Sequence, residues 1–231
     1  MSLLGHTPDP ERAVAVAARL CYSPRDITEL NKSLSGEEVL TLVGKLMSMG
    51  HLSALEHAVF TFGIDGISRA CSHQLVRHRL ASYSQQSQRY VELKKVKAVI
   101  PPSIASDPAL SREFSEKLEG IWDFYSSLID RGVPAEDARY ILPNSCETKI
   151  VVTMNARELN HFFALRLCRR AQWEIREMAL LMYRAASFAA PALFSSSGPG
   201  CVRGGCTEGE YSCGKMAELR AELKAALSSP A

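Results

Sequence analysis

The chain has 231 residues, of which 46% are hydrophobic and 23% are charged, the composition of an ordinary globular domain. A formal net charge of +2 excludes a global field that attracts polyanions, so any anion site must arise from a local cluster of cations. The amino-terminal segment lacks a basic stretch followed by a long apolar run, and no stretch approaches the roughly 20 apolar residues that span a bilayer. We therefore expect a cytoplasmic protein with no membrane partner.

Helices and strands are predicted in mixed order along the chain. Ser35 followed by Glu38 predicts a capping box at the start of the second helix, and residues 81–88, with no aliphatic side chain larger than alanine, predict a loop. Because strands and helices do not alternate regularly, we predict an α+β fold. The predicted elements are helices 9–22 and 37–49, strand 58–64, helix 67–79, strand 90–100, helices 111–130 and 134–142, strand 149–154, and helices 156–168, 171–190 and 215–227.

The composition changes after residue 194. Residues 195–214 are rich in serine, glycine and cysteine, which predicts a surface loop. We therefore predict one domain over residues 1–194 and a tail over residues 195–231, in which a Cys/Gly-rich loop precedes a terminal helix.

Residues 66–91 contain no aspartate or glutamate but carry Arg69, Arg77, Arg79 and Arg89. Gln74 and Arg77 are three residues apart on the predicted helix and should share a face. The polar stretch after them offers hydroxyls and amides beside arginines, which suits a phosphate and a nucleobase edge. A solvated basic helix followed by a polar turn explains the same residues, and the residue types alone leave both interpretations open.

A second polar cluster lies between residues 155 and 176. Asn155 ends a predicted strand, where a helix cap and a binding site commonly coincide, and Arg157 and His161 are four residues apart on one helix face. Arg166 stands between Leu165 and Leu167, so we expect it to be half-buried and to have a partner. That partner is either a structural ion pair or a bound ligand.

The seven cysteines favour a reducing compartment with free thiols over a disulfide framework. Cys71 and Cys146 have no evident helper residue, so we interpret them as core residues and not as nucleophiles. Three thiolates in the tail could ligate zinc or part of an iron–sulfur cluster, but no fourth ligand is nearby and the spacing is not CxxC. A tail with free thiols is the alternative, and no metal site is predicted. The three tail cysteines are Cys201, Cys206 and Cys213.

Arg77-His78-Arg79, followed by seven residues and Ser87, resembles the RHR-x7-S signature of flavin-dependent thymidylate synthases. GHLSALEHAVFTF at 50–62, GVPAEDARYILP at 132–143 and TMNARELNHFFALR at 153–166 resemble further segments of that family in its order. The resemblance extends to about residue 190 and does not cover the tail. It implies helices around a central, mainly antiparallel sheet, and a homotetramer with active sites shared between subunits.

The same resemblance implies reductive methylation of dUMP to dTMP for dTTP biosynthesis. FAD is the implied cofactor, NADPH and 5,10-methylenetetrahydrofolate are the implied co-substrates, and tetrahydrofolate is released. Arg166 is the implied catalytic residue, a cation set against the uracil edge. The positions matched to dUMP binding are Gln74, Arg77, Gln85, Gln86, Ser87, Gln88, Arg89, Arg139 and Arg166. The positions matched to FAD binding are Ser53, Arg77, His78, Arg79, Gln85, Asn155, Arg157 and His161.

Three other functions compete with this interpretation. A nucleic-acid-binding module would use residues 77–89, but the near-neutral net charge counts against it, and we expect no nucleic-acid partner. A flavoprotein of another substrate class, such as a nitroreductase-like enzyme, would differ in not binding dUMP tightly. A non-catalytic oligomeric scaffold has no supporting feature in the sequence.

Overall fold

The computed structural model describes residues 1–91 and 97–228. Within these ranges four strands form one antiparallel sheet in the order β1-β2-β4-β3. β1 pairs with β2 from Ser2 opposite Gly63 to His6 opposite Phe60, with a bulge between Leu3 and Gly5. The strands are β1 (Ser2–His6), β2 (Val59–Ser68), β3 (Ala81–Gln85) and β4 (Glu147–Asn155). The predicted α+β fold with a central antiparallel sheet is confirmed.

Helices fill most of the remaining described chain. Short 3-10 turns cover Leu52–His57, Arg139–Ile141 and Gly209–Tyr211. Within the described residues, none of the helices combines the length and the apolar character needed to span a bilayer. The helices are α1 (Pro10–Leu20), α2 (Ile27–Ser33), α3 (Gly36–Met49), α4 (Arg69–Leu75), α5 (Pro102–Ala105), α6 (Pro108–Asp130), α7 (Ala135–Ala138), α8 (Ala156–Arg166), α9 (Trp173–Ala189), α10 (Pro191–Phe194), α11 (Gly200–Arg203) and α12 (Met216–Ser228).

The chain divides into two compact units, and each is described by itself. The first unit contains Met1–Gly63, His78–Ser82 and the described chain from Val152 onward. The second unit contains Ile64–Arg77 and the described residues between Tyr83 and Val151. The predicted division at residue 194 is not the boundary between these units, and it stays a prediction about the tail.

An aromatic cluster forms the core of the first unit. Phe60 from β2 meets the ring of Phe194 edge-on at 5.3 Å, and Phe163 from α8 meets Phe194 at 5.8 Å and Tyr183 at 5.5 Å. All four rings are buried, and each contributes a large apolar area. This cluster fixes α8 against β2 and α9, so residues on the other faces of α8 are held in place.

In the second unit, the start of α4 is held by the segment that leads into β4. The backbone N–H groups of Arg69 and Ala70 donate to the carbonyls of Cys146 and Asn144, both at 3.0 Å. The Ser68 hydroxyl caps the helix by accepting the N–H of Cys71. These bonds satisfy backbone donors that the first turn of any helix leaves without a partner.

Two sequence predictions near the RHR motif are wrong. The predicted loop 81–88 is β3 over Ala81–Gln85, because β3 is an edge strand whose backbone pairing does not need apolar side chains on both faces. The predicted helix 67–79 is shortened to α4 at Arg69–Leu75, since Ile67 and Ser68 belong to β2 and the helix ends in a turn at Val76.

Predicted and observed elements also differ in other parts of the chain, where contacts with distant residues decide the structure. β1, with adjacent Leu3 and Leu4, shows no alternation of apolar and polar residues, and α2 has only seven residues; the sequence patterns predict neither element. The predicted strand 90–100 includes residues 92–96, which lie outside the described residues; from its remainder, Ala98 forms an isolated antiparallel bridge with Cys146. The predicted surface loop 195–214 is partly wrong, because Ser197 and Cys201 are buried.

The capping box at the start of α3 is confirmed and generates a stability prediction. The Ser35 hydroxyl accepts the N–H of Glu38 at 3.2 Å, while the Ser35 N–H donates to the Glu38 carboxylate at 2.8 Å. Ser35→Ala is expected to lower the free energy of unfolding by about 1 kcal/mol, measured by denaturant unfolding. Ser48→Ala, later in the same helix, should change it by less than about 0.5 kcal/mol. Equal effects of the two variants would contradict the capping role.

Candidate active site

The first turn of α8 directs a carboxylate into the interior of the first unit. Asn155, at the end of β4, caps the helix, since its side-chain oxygen accepts the N–H of Glu158 at 2.9 Å. Glu158 itself is only 5% exposed. A buried carboxylate requires strong partners, and His78 is the one that the fold supplies.

His78 is buried between Glu158 and Arg166. Its Nδ1 lies 3.1 Å from a carboxylate oxygen of Glu158, and its Nε2 accepts the Nε–H of Arg166 at 3.1 Å. Because a guanidinium group only donates, Nε2 must carry a lone pair, and the ring proton therefore sits on Nδ1 and is donated to Glu158. These three residues are called the Glu158–His78–Arg166 relay below.

Electrostatics in the relay favour a neutral imidazole. Burial is the main cause that lowers the pKa of His78 below its ordinary value; the hydrogen bond with Glu158 opposes this, and the charge of Arg166 lowers the pKa further. A neutral ring is the form in which Nε2 can accept from Arg166. The predicted half-burial of Arg166 is confirmed, and the partner on its Nε is a histidine.

Two aromatic rings of α8 enclose the relay. Phe162 meets the His78 ring edge-on at 4.9 Å between centroids, and His161 does so at 5.9 Å. Ligand atoms of His78, Glu158 and His161 lie within 4.8 Å of one another, as in a metal site. Since both nitrogens of His78 are already engaged and Arg166 places a positive charge on the relay, these residues do not suit a metal ion.

A separate cavity of about 440 Å³ in the first unit is lined by Ser53, Arg157, His51 and His57. Arg157 is exposed and forms an ion pair with Glu56. An exposed pair of this kind contributes about 0–1 kcal/mol, so an anionic ligand can replace Glu56 at little cost. The cavity therefore offers hydroxyl, imidazole and guanidinium donors to part of a nucleotide-like ligand.

In the second unit, polar side chains that follow the RHR motif form hydrogen bonds within the protein. Gln85 donates from its amide to the hydroxyls of Ser72 at 2.9 Å and Thr148 at 3.2 Å. The Ser87 hydroxyl accepts the N–H of Arg89 at 3.1 Å. These bonds fix the end of β3 and the turn after it.

Three arginines collect beside that turn. Arg89 pairs with Glu136 of α7, and the Nε–H of Arg139 donates to the Glu136 carbonyl at 3.0 Å. Arg69 donates to the carbonyl of Gln86 at 2.9 Å, and its buried Nε–H has no hydrogen-bond partner among the described residues. Burial chiefly, and then the charge of Arg139, lower the pKa of Arg69. The three arginines thus have one carboxylate partner, Glu136 on Arg89, in the described contacts, and an excess of closely placed cations favours binding of an anion.

The remaining sequence-predicted positions are placed as follows. Gln74 lies in α4, and its amide donates to the Ala70 carbonyl at 3.4 Å. Arg77 follows the end of α4, so the prediction that it shares a helix face with Gln74 is wrong; its N–H bonds the Gln74 carbonyl in a turn. Arg77 and Arg79 are exposed, and Gln88 is half-buried.

The interpretation of Cys71 and Cys146 as core residues is confirmed, since they are 0% and 1% exposed. Burial raises the pKa of Cys146 to about 11, which keeps its thiol protonated at neutral pH. A protonated, buried thiol is not a nucleophile.

Two functional candidates were missed from the sequence. Glu158 is the only carboxylate between Asn155 and Trp173, and that isolation was the available signal for a partner of the basic residues around it. Arg69 was noted as one of four cations, but only the fold shows that it is held beside Arg139. The first unit thus brings together His78, Glu158, His161 and Arg166, and the second brings together Arg69, Arg89 and Arg139.

Comparisons with known proteins agree with one another. The family model described as thymidylate synthase complementing protein matches residues 2–192. A flavin-dependent thymidylate synthase from Geobacter sulfurreducens is 56% identical over 95% of this chain and 96% of its own length. Enzymes of the same name from Clostridium tetani and Pyrococcus horikoshii are 49% identical, over 95% and 79% of this chain and 95% and 76% of their own lengths.

The hydrogen bonds of the relay predict the tautomer and the protonation state of His78 in solution. Nitrogen NMR of the histidine-labelled protein is expected to show a neutral Nδ1–H tautomer at neutral pH, with a pKa below about 6.5. The pKa of His78 is lower in the folded than in the unfolded protein. The contribution of neutral His78 to the free energy of unfolding is therefore complete above the ordinary histidine pKa and is lost as the pH falls through the lowered pKa.

Glu158→Gln should lower the pKa of His78 further, because a carboxylate that favours the charged ring is removed. The exposed His6 ring serves as an internal reference in both spectra. A proton found on Nε2, or a pKa of His78 above the ordinary value, contradicts the relay.

Proposed function

This chain belongs to the flavin-dependent thymidylate synthases, and we propose that the Glu158–His78–Arg166 relay carries the substrate activation for that activity. The enzyme reductively methylates dUMP to dTMP for dTTP biosynthesis, with FAD as cofactor and NADPH and 5,10-methylenetetrahydrofolate as co-substrates. The observation that carries the proposal is the Nε–H bond from Arg166 to a neutral, buried His78.

Arg166 acts as the electrophilic residue against the uracil ring. Methylation at C5 requires that carbon to become nucleophilic, which places negative charge on the carbonyl edge of the ring, and a fixed cation there stabilises it. Arg166 remains charged throughout because a guanidinium group does not lose its proton in proteins. Its bond to His78 fixes the plane of the guanidinium group, and Glu158 in turn fixes the imidazole tautomer. His78 and Glu158 are positioning residues in this scheme.

The arginine cluster of the second unit binds the dUMP phosphate. Arg89 and Arg139 supply the donors, and the partly buried Arg69 beside Arg139 adds positive charge to the same place. The exposed ion pair between Arg89 and Glu136 opens at a cost of about 0–1 kcal/mol, so a phosphate can take the place of the carboxylate. The remaining dUMP contacts proposed from the family are Gln74, Arg77, Gln85, Gln86, Ser87 and Gln88.

Ser87 is a binding residue in this proposal and not a nucleophile. Its hydroxyl accepts the N–H of Arg89, and no histidine or carboxylate among the described residues is hydrogen-bonded to it. A serine without an adjacent base is a weak nucleophile. Polarisation of the ring by Arg166 therefore takes the place of covalent attack by the protein.

The residues present fit an FAD site. The cavity of about 440 Å³ with Ser53 and Arg157 has the donor set that a diphosphate and ribose require. FAD, when bound, supplies the redox step of the reaction. The further FAD contacts proposed from the family are Arg77, His78, Arg79, Gln85, Asn155 and His161.

Assembly and location complete the proposal. Exposed apolar side chains on α9 support a homotetramer with shared active sites. Leu181 and Phe188 lie seven residues apart on this helix and are 44% and 77% exposed. Sedimentation equilibrium measures the mass of the assembly. Free thiols at all seven cysteines support the cytoplasm, and the low net charge supports the absence of a nucleic-acid partner.

Formation of dTMP from dUMP, NADPH and methylenetetrahydrofolate tests the role of Arg166. Arg166→Gln is expected to lower kcat by at least about 10²–10³-fold, the usual effect of losing a donor to developing charge, while circular dichroism shows an intact fold. The exposed Arg25→Gln is the matched control and should keep full activity. Normal turnover by Arg166→Gln would remove the residue from the mechanism.

Binding measurements test the phosphate site separately. Arg139→Gln is expected to weaken dUMP binding about 10–100-fold, since hydrogen bonds to charged groups contribute about 1.5–3 kcal/mol. Binding of deoxyuridine, which lacks the phosphate, should not change. Arg112→Gln on α6 is the control. An equal loss for dUMP and deoxyuridine would place Arg139 away from the phosphate.

A further inference from the structure

Four cysteines line one cavity of about 480 Å³ in the first unit. Cys168 follows the end of α8, Cys201 lies in α11, and Cys206 and Cys213 lie in the segment between α11 and α12. The sequence showed three clustered thiols without a fourth ligand. The fold supplies the fourth from Cys168, which is remote in sequence but faces the same space. All four are free thiols.

The folded path of the tail holds these cysteines around the cavity. Arg220 of α12 donates to the carbonyls of Cys201 and Gly204, both at 2.9 Å. A side chain at Gly200 would meet the Thr207 methyl at 2.7 Å, so the chain closes tightly on itself between Cys201 and Cys206. The loop is therefore shaped by specific contacts, and its cysteines line one cavity with Cys168.

The charge around the cavity suits an anionic cluster of thiolates. Arg166, Arg169 and Arg170 also line it. Four cysteine thiolates around a divalent ion or a cubane iron–sulfur cluster carry net negative charge, which nearby guanidinium groups stabilise. This donor set is of the soft sulfur type that selects zinc or iron–sulfur centres over magnesium or calcium.

The positions of the four sulfurs argue against a preformed tetrahedral zinc site. A tetrahedral zinc ion with Zn–S distances of about 2.3 Å brings its sulfurs to about 3.8 Å from one another. Of these four described cysteines, no three have sulfurs that all lie within 4.8 Å of one another. A [4Fe–4S] cluster holds its four cysteine ligands farther apart, because the iron atoms and sulfides lie between them.

We propose that Cys168, Cys201, Cys206 and Cys213 form a four-thiolate site for a metal centre, and that this centre is an iron–sulfur cluster. The site joins the tail to the end of α8, two residues beyond Arg166. Its four cysteines are not among the residues assigned to dUMP and FAD, while Arg166 lines the same cavity. Metal binding by the cysteines does not depend on the proposed role of Arg166 in catalysis.

Metal and sulfide analysis of the full-length protein, purified without oxygen, tests the proposal. About four iron atoms and four acid-labile sulfides per chain are expected. Chemical analysis is the appropriate readout, because the flavin absorbs in the same spectral region as a cluster. Cys206→Ser and Cys213→Ser, both at exposed positions, should each reduce iron and sulfide at least about tenfold.

The exposed Cys21→Ser is the matched control and should keep the full iron and sulfide content. About one zinc ion per chain, lost in the same two variants, would uphold the four-thiolate site and overturn the cluster. Iron and sulfide retained in both tail variants, or neither metal bound after reconstitution with ferrous iron and sulfide or with zinc, would overturn the site. Circular dichroism of each variant separates metal loss from unfolding.

Discussion

The functional geometry of the first unit depends on one buried imidazole. His78 receives a hydrogen bond from Arg166 and gives one to Glu158, and it can do both only while it is neutral. Direct contact between Arg166 and Glu158 would form an ordinary ion pair and weaken the arginine's field. With a neutral ring between them, the charges stay apart and the orientation of the guanidinium is still fixed, as its proposed electrophilic role requires.

Much of this fold could be predicted from the sequence, and the exceptions have physical causes. The amphipathic α6, the capping box of Ser35 and the β-branched β4 follow from local periodicity and capping chemistry. β3 could not be predicted, because an edge strand of alanine, serine, tyrosine and glutamine is stabilised by backbone pairing that leaves no apolar pattern. The end of α4 in a turn at Val76 could not be predicted either, because the apolar and polar pattern of the sequence continues past it.

In the candidate site, too, some residues could be predicted from the sequence and others could not. Arg89 was identifiable because it lies in residues 66–91, which carry arginines but no acidic residue, whereas the role of Arg166 came from the family resemblance. Glu158, Arg69 and Cys168 were not identifiable, because their importance comes from neighbours far away in the chain. Glu158 lies 80 residues from His78, and Cys168 shares its cavity with residues beyond α10. Local spacing predicts ligands on one element, whereas only folding shows which elements meet.

The terminal helix has a consequence for how much of the chain is needed. Glu222 of α12 contacts both Arg169 and Arg176, and the Nε atoms of these two arginines are buried. One carboxylate thus contacts two guanidinium groups of the first unit, and Glu218 of the same helix lies 3.8 Å from Arg169. A chain shortened before this helix would leave two poorly hydrated cations without a counter-charge beside the end of α8. The tail is therefore an electrostatic part of the enzyme, even though the family signature ends before it.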